Sequence, residues 1–305
     1  RADARQVTVP AERGRLGQRH ARLAGALLPE GLRGLVLASH PGPTAVVTAL
    51  SAALVVGVGG RPATVALATA AVLTGQLSIG WSNDWVDARR DVAVRRADKP
   101  VVAGLVSAGL LRGAALAAAA ACVVLSLAVG LVPGVVHIVA VVSAWAYNVR
   151  LKASAWSWFP FALSFGLLPA FLVLSLPGHP LPAAWAVAAG ALLGTGAHVA
   201  NVLPDLEDDH RTGVRGLPHR WGRTASSVVA PAVLVTAVLV VVLGPAAPPG
   251  VLAVAGAALA VVLAVTAGVV ALSRHRSRLP FRLSMAVAAL CVVLLVGAGP
   301  EMVSG

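Results

Sequence analysis

The sequence predicts an all-α integral membrane protein, nine transmembrane helices around a central cavity, and three observations predict it. Hydrophobic residues make up 58% of the 305 and charged residues only 12%, about half the charged share of a soluble domain. The apolar residues fall in runs that reach the roughly 20 residues a helix needs to cross a bilayer. Basic residues crowd into alternate connections between those runs, the mark of cytoplasmic loops.

Each element follows from turn signals at the ends of an apolar run. Spans are predicted near 42–60, 63–82, 103–128, 131–149, 158–176, 182–203, 225–244, 250–272 and 281–299. The connections Gly59-Gly60-Arg61-Pro62, Gly130-Leu131-Val132-Pro133, Pro177-Gly178-His179-Pro180 and Gly244 to Gly250 are short and nearly uncharged. The others are longer and charged. Residues 1–40 read as a cytosolic tail followed, from about Leu23 to Ser39, by an interfacial amphipathic segment broken at Pro29. The tail lacks the basic-then-apolar layout of a cleaved signal peptide. Residues 41–305 form one nine-helix transmembrane domain, with no room for a second, soluble one.

Charge tests this layout independently. With nine spans, 22 of the 24 Lys and Arg fall on one side of the membrane. Arg61 is opposite, and Arg112 lies within the first turns of the third span, where it can snorkel to the cytosolic interface. The N-terminus is therefore placed inside and the C-terminus outside the cytoplasmic membrane. The net charge of +12 marks topology and contact with membrane lipid. No hydrophilic face displays it to nucleic acid. Cys122 and Cys291 lie deep in apolar runs without CxxC or Cys/His spacing, so they imply neither a disulfide framework nor a zinc site.

The acids are the decisive feature, since eight of twelve lie in two short segments. In the first, Asn83, Asp87 and Asp91 recur every four residues, with Asp84 three before Asp87. In the second, Asn201, Asp205 and Asp209 recur the same way, with Glu207 and Asp208 off the stripe. On a helix such positions share one face. Stacked carboxylates repel unless a cation lies between them, and oxygen-only ligands favour Mg²⁺. Two opposed stripes at the cytosolic end of the spans suit about two or three such ions, bridged by the phosphates of an anionic substrate. Arg89, Arg90, Arg95, Arg96 and Lys99 flank the first cluster, Arg211 and Arg215 the second, and Lys152 follows Tyr147 on a short loop. His198, one to two turns before Asp205, reads as packed or solvent-facing, His137 as structural, and His210 and His219 as surface residues.

These residues resemble the UbiA superfamily of intramembrane prenyltransferases, whose nine-helix fold carries an NDxxDxxxD motif and a later DxxxD motif. The likeness runs through Asn83 to Asp91, Asp98-Lys99-Pro100, Tyr147 to Leu151-Lys152, Asp205, Asp209, Gly213, Leu217-Pro218 and Gly222. One departure is that the family often carries an arginine near the start of the first span, whereas Leu37-Ala38-Ser39-His40-Pro41 has none. The resemblance implies that residues 41–305 are a prenyltransferase domain. It implies Mg²⁺-assisted ionisation of a prenyl diphosphate and attack of a lipophilic acceptor on the allylic cation. Asn83, Asp84, Asp87, Asp91, Asp205 and Asp209 are then the metal ligands, the five aspartates being catalytic. Lys152, Tyr147, Arg96, Lys99, Asn83 and Asn201 are the diphosphate contacts. Trp81, Trp85, Trp145, Tyr147, Trp156 and Trp158 are candidates for facing the cation.

Three rival readings stay open at this point. A terpene cyclase would use the same metal site without an acceptor. A sugar phosphate or lipid backbone would replace an aromatic acceptor. A secondary transporter would instead place its acids near the bilayer midplane, and no predicted span carries a carboxylate there. Prenyl chain length, acceptor identity, the general base and oligomeric state are not written in the sequence.

Overall fold

The computed structural model describes residues 29–206, 209, 213–273 and 277–303. The tail expected over the first 28 residues lies outside them. Among the described residues there are ten α-helices and no β-strand, only an isolated bridge between Pro182 and Val303. They are α1 (Glu30–Ala38), α2 (Pro41–Gly57), α3 (Pro62–Ala93), α4 (Ala108–Val129) and α5 (Leu131–Val149). Then follow α6 (Phe159–Leu174), α7 (Ala184–Val202), α8 (Leu217–Leu243), α9 (Val251–Ser273) and α10 (Leu279–Ala298).

Nine of the ten coincide with the expected apolar runs, and the tenth, α1, is the amphipathic segment expected before them. Pro29 starts it, and Gly34 and Ala38 are its buried positions. α1 meets α2 at 63° across Ser39 and His40, where His40 adopts φ +52°. Trp81 Nε1 donates to Leu35 O at 2.8 Å and so pins α1 to α3. By length and composition α3, α4, α5, α8, α9 and α10 can each cross a membrane, and the bent pair α1–α2 makes a seventh candidate. These apolar helices make the chain an integral membrane protein.

Three boundaries differ from expectation, one of them the start of α8, at Leu217 rather than near residue 225. α3 continues well past its apolar run to Ala93, so the first acidic cluster sits on the helix itself rather than in a loop. α4 begins only at Ala108, although residues 101–106 are mostly apolar. Pro100 and Gly104, the latter at φ +73°, hold that stretch in turns, and Ser107 caps the helix by accepting from Leu110 N at 3.1 Å.

Sequential helices pack on one another, and α10 returns against α2 and α7 to close the bundle. The main apolar core, including Leu54, Phe171, Leu172, Leu193, Leu234 and Leu295, lies where these helices meet. α6 and α7 approach closely through glycines. A Cβ on Gly190 would lie 2.3 Å from Phe165 O and one on Gly194 2.4 Å from Phe161 O, so only glycine permits that contact. In α8, Gly222 at φ +76° breaks the helical run and offsets its first turns from the rest. One buried polar pair joins α4 to α5: Ser126 Oγ lies 2.8 Å from His137 Nδ1, whose ring stacks on Phe171 at 4.4 Å. Cys122 and Cys291 are buried free thiols.

Candidate active site

A cavity of about 730 Å³ opens where the C-terminal ends of α3 and α7 and the N-terminal ends of α2, α6 and α10 meet the turn after α5. Asn83, Asp84, Asp87, Arg96, Lys99, Tyr147, Lys152, Asn201, Asp205 and Asp209 all line it. Of the predicted acids only Asp91 does not, although it lies one turn beyond Asp87 on the same helix. The two acidic segments, more than 100 residues apart in sequence, therefore share one mouth.

The first stripe is built from one continuous helix, so its spacing becomes geometry directly. Asp84 is 1% exposed and takes a 2.7 Å hydrogen bond from Lys99 Nζ and a 3.1 Å contact from His40 Nε2. Asp87 accepts from Arg90 Nη2 at 3.1 Å and from Lys152 Nζ. Asn83 Nδ2 donates to Asn148 Oδ1 at 3.2 Å, and Asn148 Nδ2 in turn donates to Ser82 Oγ at 2.9 Å. Asp91 is fully buried, and neither carboxylate oxygen has a hydrogen-bond partner; Arg90 Nε stands 4.0 Å away.

The second stripe is not one helical face, which corrects the four-residue reading. α7 ends at Val202, Pro204 interrupts, and the chain turns before Asp209 N donates to Asp205 O at 2.8 Å. Asn201 is exposed in the last turn of α7. Asp205 keeps 40% of its side chain open to solvent and faces Arg96 at 3.9 Å, while His219 Nε2 lies 3.2 Å from Asp209. Glu207, Asp208, His210 and Arg211 fall outside the described residues.

Arg96 joins the two segments: its guanidinium reaches Asp98 at 3.3 Å and Asp205 at 3.9 Å. Arg278 adds a second contact to Asp98 at 3.6 Å. Burial raises the Asp205 carboxyl above its ordinary range and pulls the Lys152 ammonium below its own. Burial would also raise Asp98, but the hydrogen bond and charge of Arg96 prevail and hold it low. Arg89 and Arg95 are exposed and line no part of the cavity.

Below the polar mouth the walls turn aromatic and then aliphatic. Tyr147 meets Phe161 edge-on at 5.0 Å and His198 at 5.6 Å, and Phe161 lies 4.7 Å from His198. His198 is buried, its Nε2 3.1 Å from Ser157 Oγ, which also accepts from Leu217 N at 2.8 Å. Of the six predicted aromatic candidates only Tyr147 lines the cavity. Trp85 packs edge-on against Trp145 at 6.4 Å and carries Arg112 5.6 Å above its ring, so Arg112 is held by an aromatic face. Trp156 and Trp158 stack on each other at 6.5 Å, away from the cavity.

Sequence reasoning missed His40, Asn148, Phe161 and Arg278 as cavity residues and read the buried His219 as a surface one. Only for His40 was there a sequence signal, its place where an arginine was expected. For the others nothing in the local pattern shows which helix end they face.

The donor set fits a hard divalent cation. All its ligating atoms are carboxylate or amide oxygens, the choice that suits Mg²⁺. The two buried oxygens of Asp91 without a hydrogen bond are a costly arrangement for the protein alone. Among the described residues no three of His, Cys, Asp and Glu converge to cage an ion. Mg²⁺ does not need such a cage, since it retains waters and takes one or two carboxylates together with substrate phosphates.

A model of the UbiA prenyltransferase family matches residues 43–290. No curated relative matches the sequence. Among solved structures, a UbiA homolog from Archaeoglobus fulgidus bound to GPP and Mg²⁺ is 14% identical, with a TM-score of 0.66 over 87% of this chain and 99% of that one. A UbiA homolog from Aeropyrum pernix K1 is 18% identical, with a TM-score of 0.65 over 84% of this chain and 95% of its own. A digeranylgeranylglyceryl phosphate synthase is 14% identical, with a TM-score of 0.62 over 88% and 99%. At such identities the likeness is one of fold.

Proposed function

Since this chain belongs to the UbiA prenyltransferase family, and is thus a membrane prenyltransferase, we propose that it moves an isoprenoid chain from a prenyl diphosphate to a lipophilic acceptor, releasing diphosphate. The observation that carries this reading is the shared mouth: two acidic segments and their lysines and arginines sit over an apolar cavity that ends in the bundle core. An amphiphile with an anionic head and a hydrocarbon tail matches that division.

Asn83, Asp84, Asp87 and Asp91 on one side and Asp205 and Asp209 on the other would hold Mg²⁺. When bound, Mg²⁺ neutralises the charge that develops on a departing diphosphate. Lys152, Lys99 and Arg96 pair with these acids and stand ready to donate to phosphate oxygens. Tyr147, Asn83 and Asn201 line the same mouth and complete the diphosphate contacts. Lys152 suits the task because burial makes its ammonium poorly solvated, which strengthens its hold on an anion. Phe161 and Tyr147 present ring faces or edges to the space just beneath, where the quadrupole of a face stabilises an allylic cation. The apolar walls exclude water that would otherwise capture that cation.

On this reading α2–α10 each cross the membrane, and the distribution of basic residues supports that layout. The mouth then faces the cytosol, with the N-terminus inside and the C-terminus outside. Residues 41–305 act as one catalytic domain behind the amphipathic α1.

The test is to incubate the purified protein with a panel of labelled prenyl diphosphates and membrane extract, in Mg²⁺ or in EDTA, and to identify labelled products. Transfer in Mg²⁺ and none in EDTA is expected. Label transfer indifferent to chelation would overturn the metal site, and a cyclised hydrocarbon formed without extract would replace transfer by cyclisation.

A further inference from the structure

Not every basic residue near the acidic stripe of α3 serves the mouth. Arg90, Arg96, Lys99 and Lys152 each pair with an aspartate that lines the cavity. Arg89 and Arg112 are exposed, line no part of the cavity and, among the described residues, pair with no carboxylate. Both belong to one aromatic platform. Arg112 Cζ lies 5.6 Å from the centroid of the Trp85 ring, and Arg89 follows Trp85 by one turn on the same face of α3. Trp85 packs edge-on against Trp145, whose Nε1 donates to Ser78 Oγ at 3.2 Å, so the platform is fixed to both α3 and α5.

Below Arg112 the same face of α4 is apolar and open. Leu116, Val123 and Leu127 follow at helical spacing, and all three are exposed. Val123 lies roughly 16 Å from Arg112 along the helix axis, the depth of one leaflet of a roughly 30 Å hydrocarbon core. A pair of cations at the height of the headgroups, above an apolar stripe one leaflet deep, has the outline of a lipid.

We propose that Arg89, Trp85 and Arg112 seat an anionic glycerophospholipid in the leaflet next to the mouth, with its phosphate between the two guanidinium groups and an acyl chain along Leu116, Val123 and Leu127. A planar guanidinium offers a phosphate two parallel donors, and its stacking on an indole leaves those in-plane donors free. Two like charges favour a headgroup that brings no ammonium of its own, which selects phosphatidylglycerol over phosphatidylcholine. The seat is separate from the cavity, so the inference stands apart from the prenyl-transfer reading. It bears on the site all the same: Trp85 directly follows Asp84 in α3, and a lipid held there braces the helix that carries the first acidic stripe.

The experiment adds dioleoylphosphatidylglycerol or dioleoylphosphatidylcholine to the full chain in a nonionic detergent and reads the thermal midpoint and the lipid retained in native mass spectrometry. Phosphatidylglycerol should be retained and bind about tenfold more tightly than phosphatidylcholine, the factor that a single charge-assisted hydrogen bond supplies. The double variant Arg89→Ala, Arg112→Ala should bind the two lipids alike. Arg95→Ala, which removes an exposed arginine beyond the end of α3, should keep the preference whole. The lipid-free midpoint of each variant reports its folding, and if the double variant does not fold, Arg89→Ala alone decides the matter by a loss in the same direction. Equal affinity of the unaltered chain for both lipids, or a folded double variant with its preference intact, would overturn the seat. So would an equal loss in Arg95→Ala, which marks diffuse attraction, or a midpoint raised as far by inorganic phosphate alone.

Discussion

On α3, Asp84, Asp87 and Asp91 stand within two turns of one unbroken helix and all are buried, whereas past the end of α7 Asp205 hangs on a turn with 40% of its side chain in solvent. The first group is fixed by packing before any ligand arrives. The second is placed by Pro204, by the Asp209 amide and by Arg96, a partly exposed side chain that reaches across the mouth. The difference divides the labour of such a site: a rigid half that defines where charge sits, and a looser half that can close on an incoming diphosphate. Fixing ligands on helices and leaving one side adjustable lowers the cost of letting the product leave.

The sharpest way to break this comparison is to remove one acid from each half. Asp87→Ala should lower turnover about a thousandfold, because it removes a preorganised charge at the reacting end. Asp205→Ala should cost about 10- to 100-fold, and excess Mg²⁺ should recover part of it. Both variants should elute as folded protein in detergent, since neither side chain packs the core. Equal losses, both indifferent to Mg²⁺ concentration, would erase the distinction between the halves.

How far the sequence led explains why the halves look alike there and differ here. The recurrence of Asn83, Asp87 and Asp91 was legible because α3 has no breaker between them, so period became position. Asn201, Asp205 and Asp209 show the same period, but Pro204 lies inside it and removes the backbone donor a continuous helix needs. The stripe was visible and its geometry was not. All nine apolar runs overlap helices, since burial in lipid requires internal backbone pairing and leaves little else. His40, Asn148 and Arg278 were not legible as site residues. They reach the mouth through the α1–α2 bend, the packing of α5 on α3 and the return of α10, and none of these long-range contacts leaves a local pattern.

Asp91 sharpens the same comparison through stability instead of rate. It is fully buried, and its two oxygens have no hydrogen-bond partner. A buried polar group left unsatisfied costs about 1–3 kcal/mol. Asp91→Ala should therefore stabilise the chain in EDTA by an amount of that order, read as a higher thermal midpoint, while abolishing the further rise that Mg²⁺ and a prenyl diphosphate give the unaltered chain. A lower midpoint in EDTA would mean that Asp91 packs rather than waits for a cation, and the rigid half would lose its functional reading.

The smallest effect belongs to the link between the halves. Arg96 touches Asp98 and Asp205 from a partly exposed position, and ion pairs of that kind are worth about 0.2–1 kcal/mol. If its role is to hold the looser half near the rigid one, Arg96→Ala should raise the Mg²⁺ concentration for half-maximal turnover only about two- to fivefold and leave the saturated rate nearly unchanged. If instead Arg96 donates to the diphosphate as its charge develops, the saturated rate falls and added Mg²⁺ does not restore it. Measuring turnover across a Mg²⁺ titration separates the two, because a tether acts on assembly of the site and a phosphate donor acts on the step that follows.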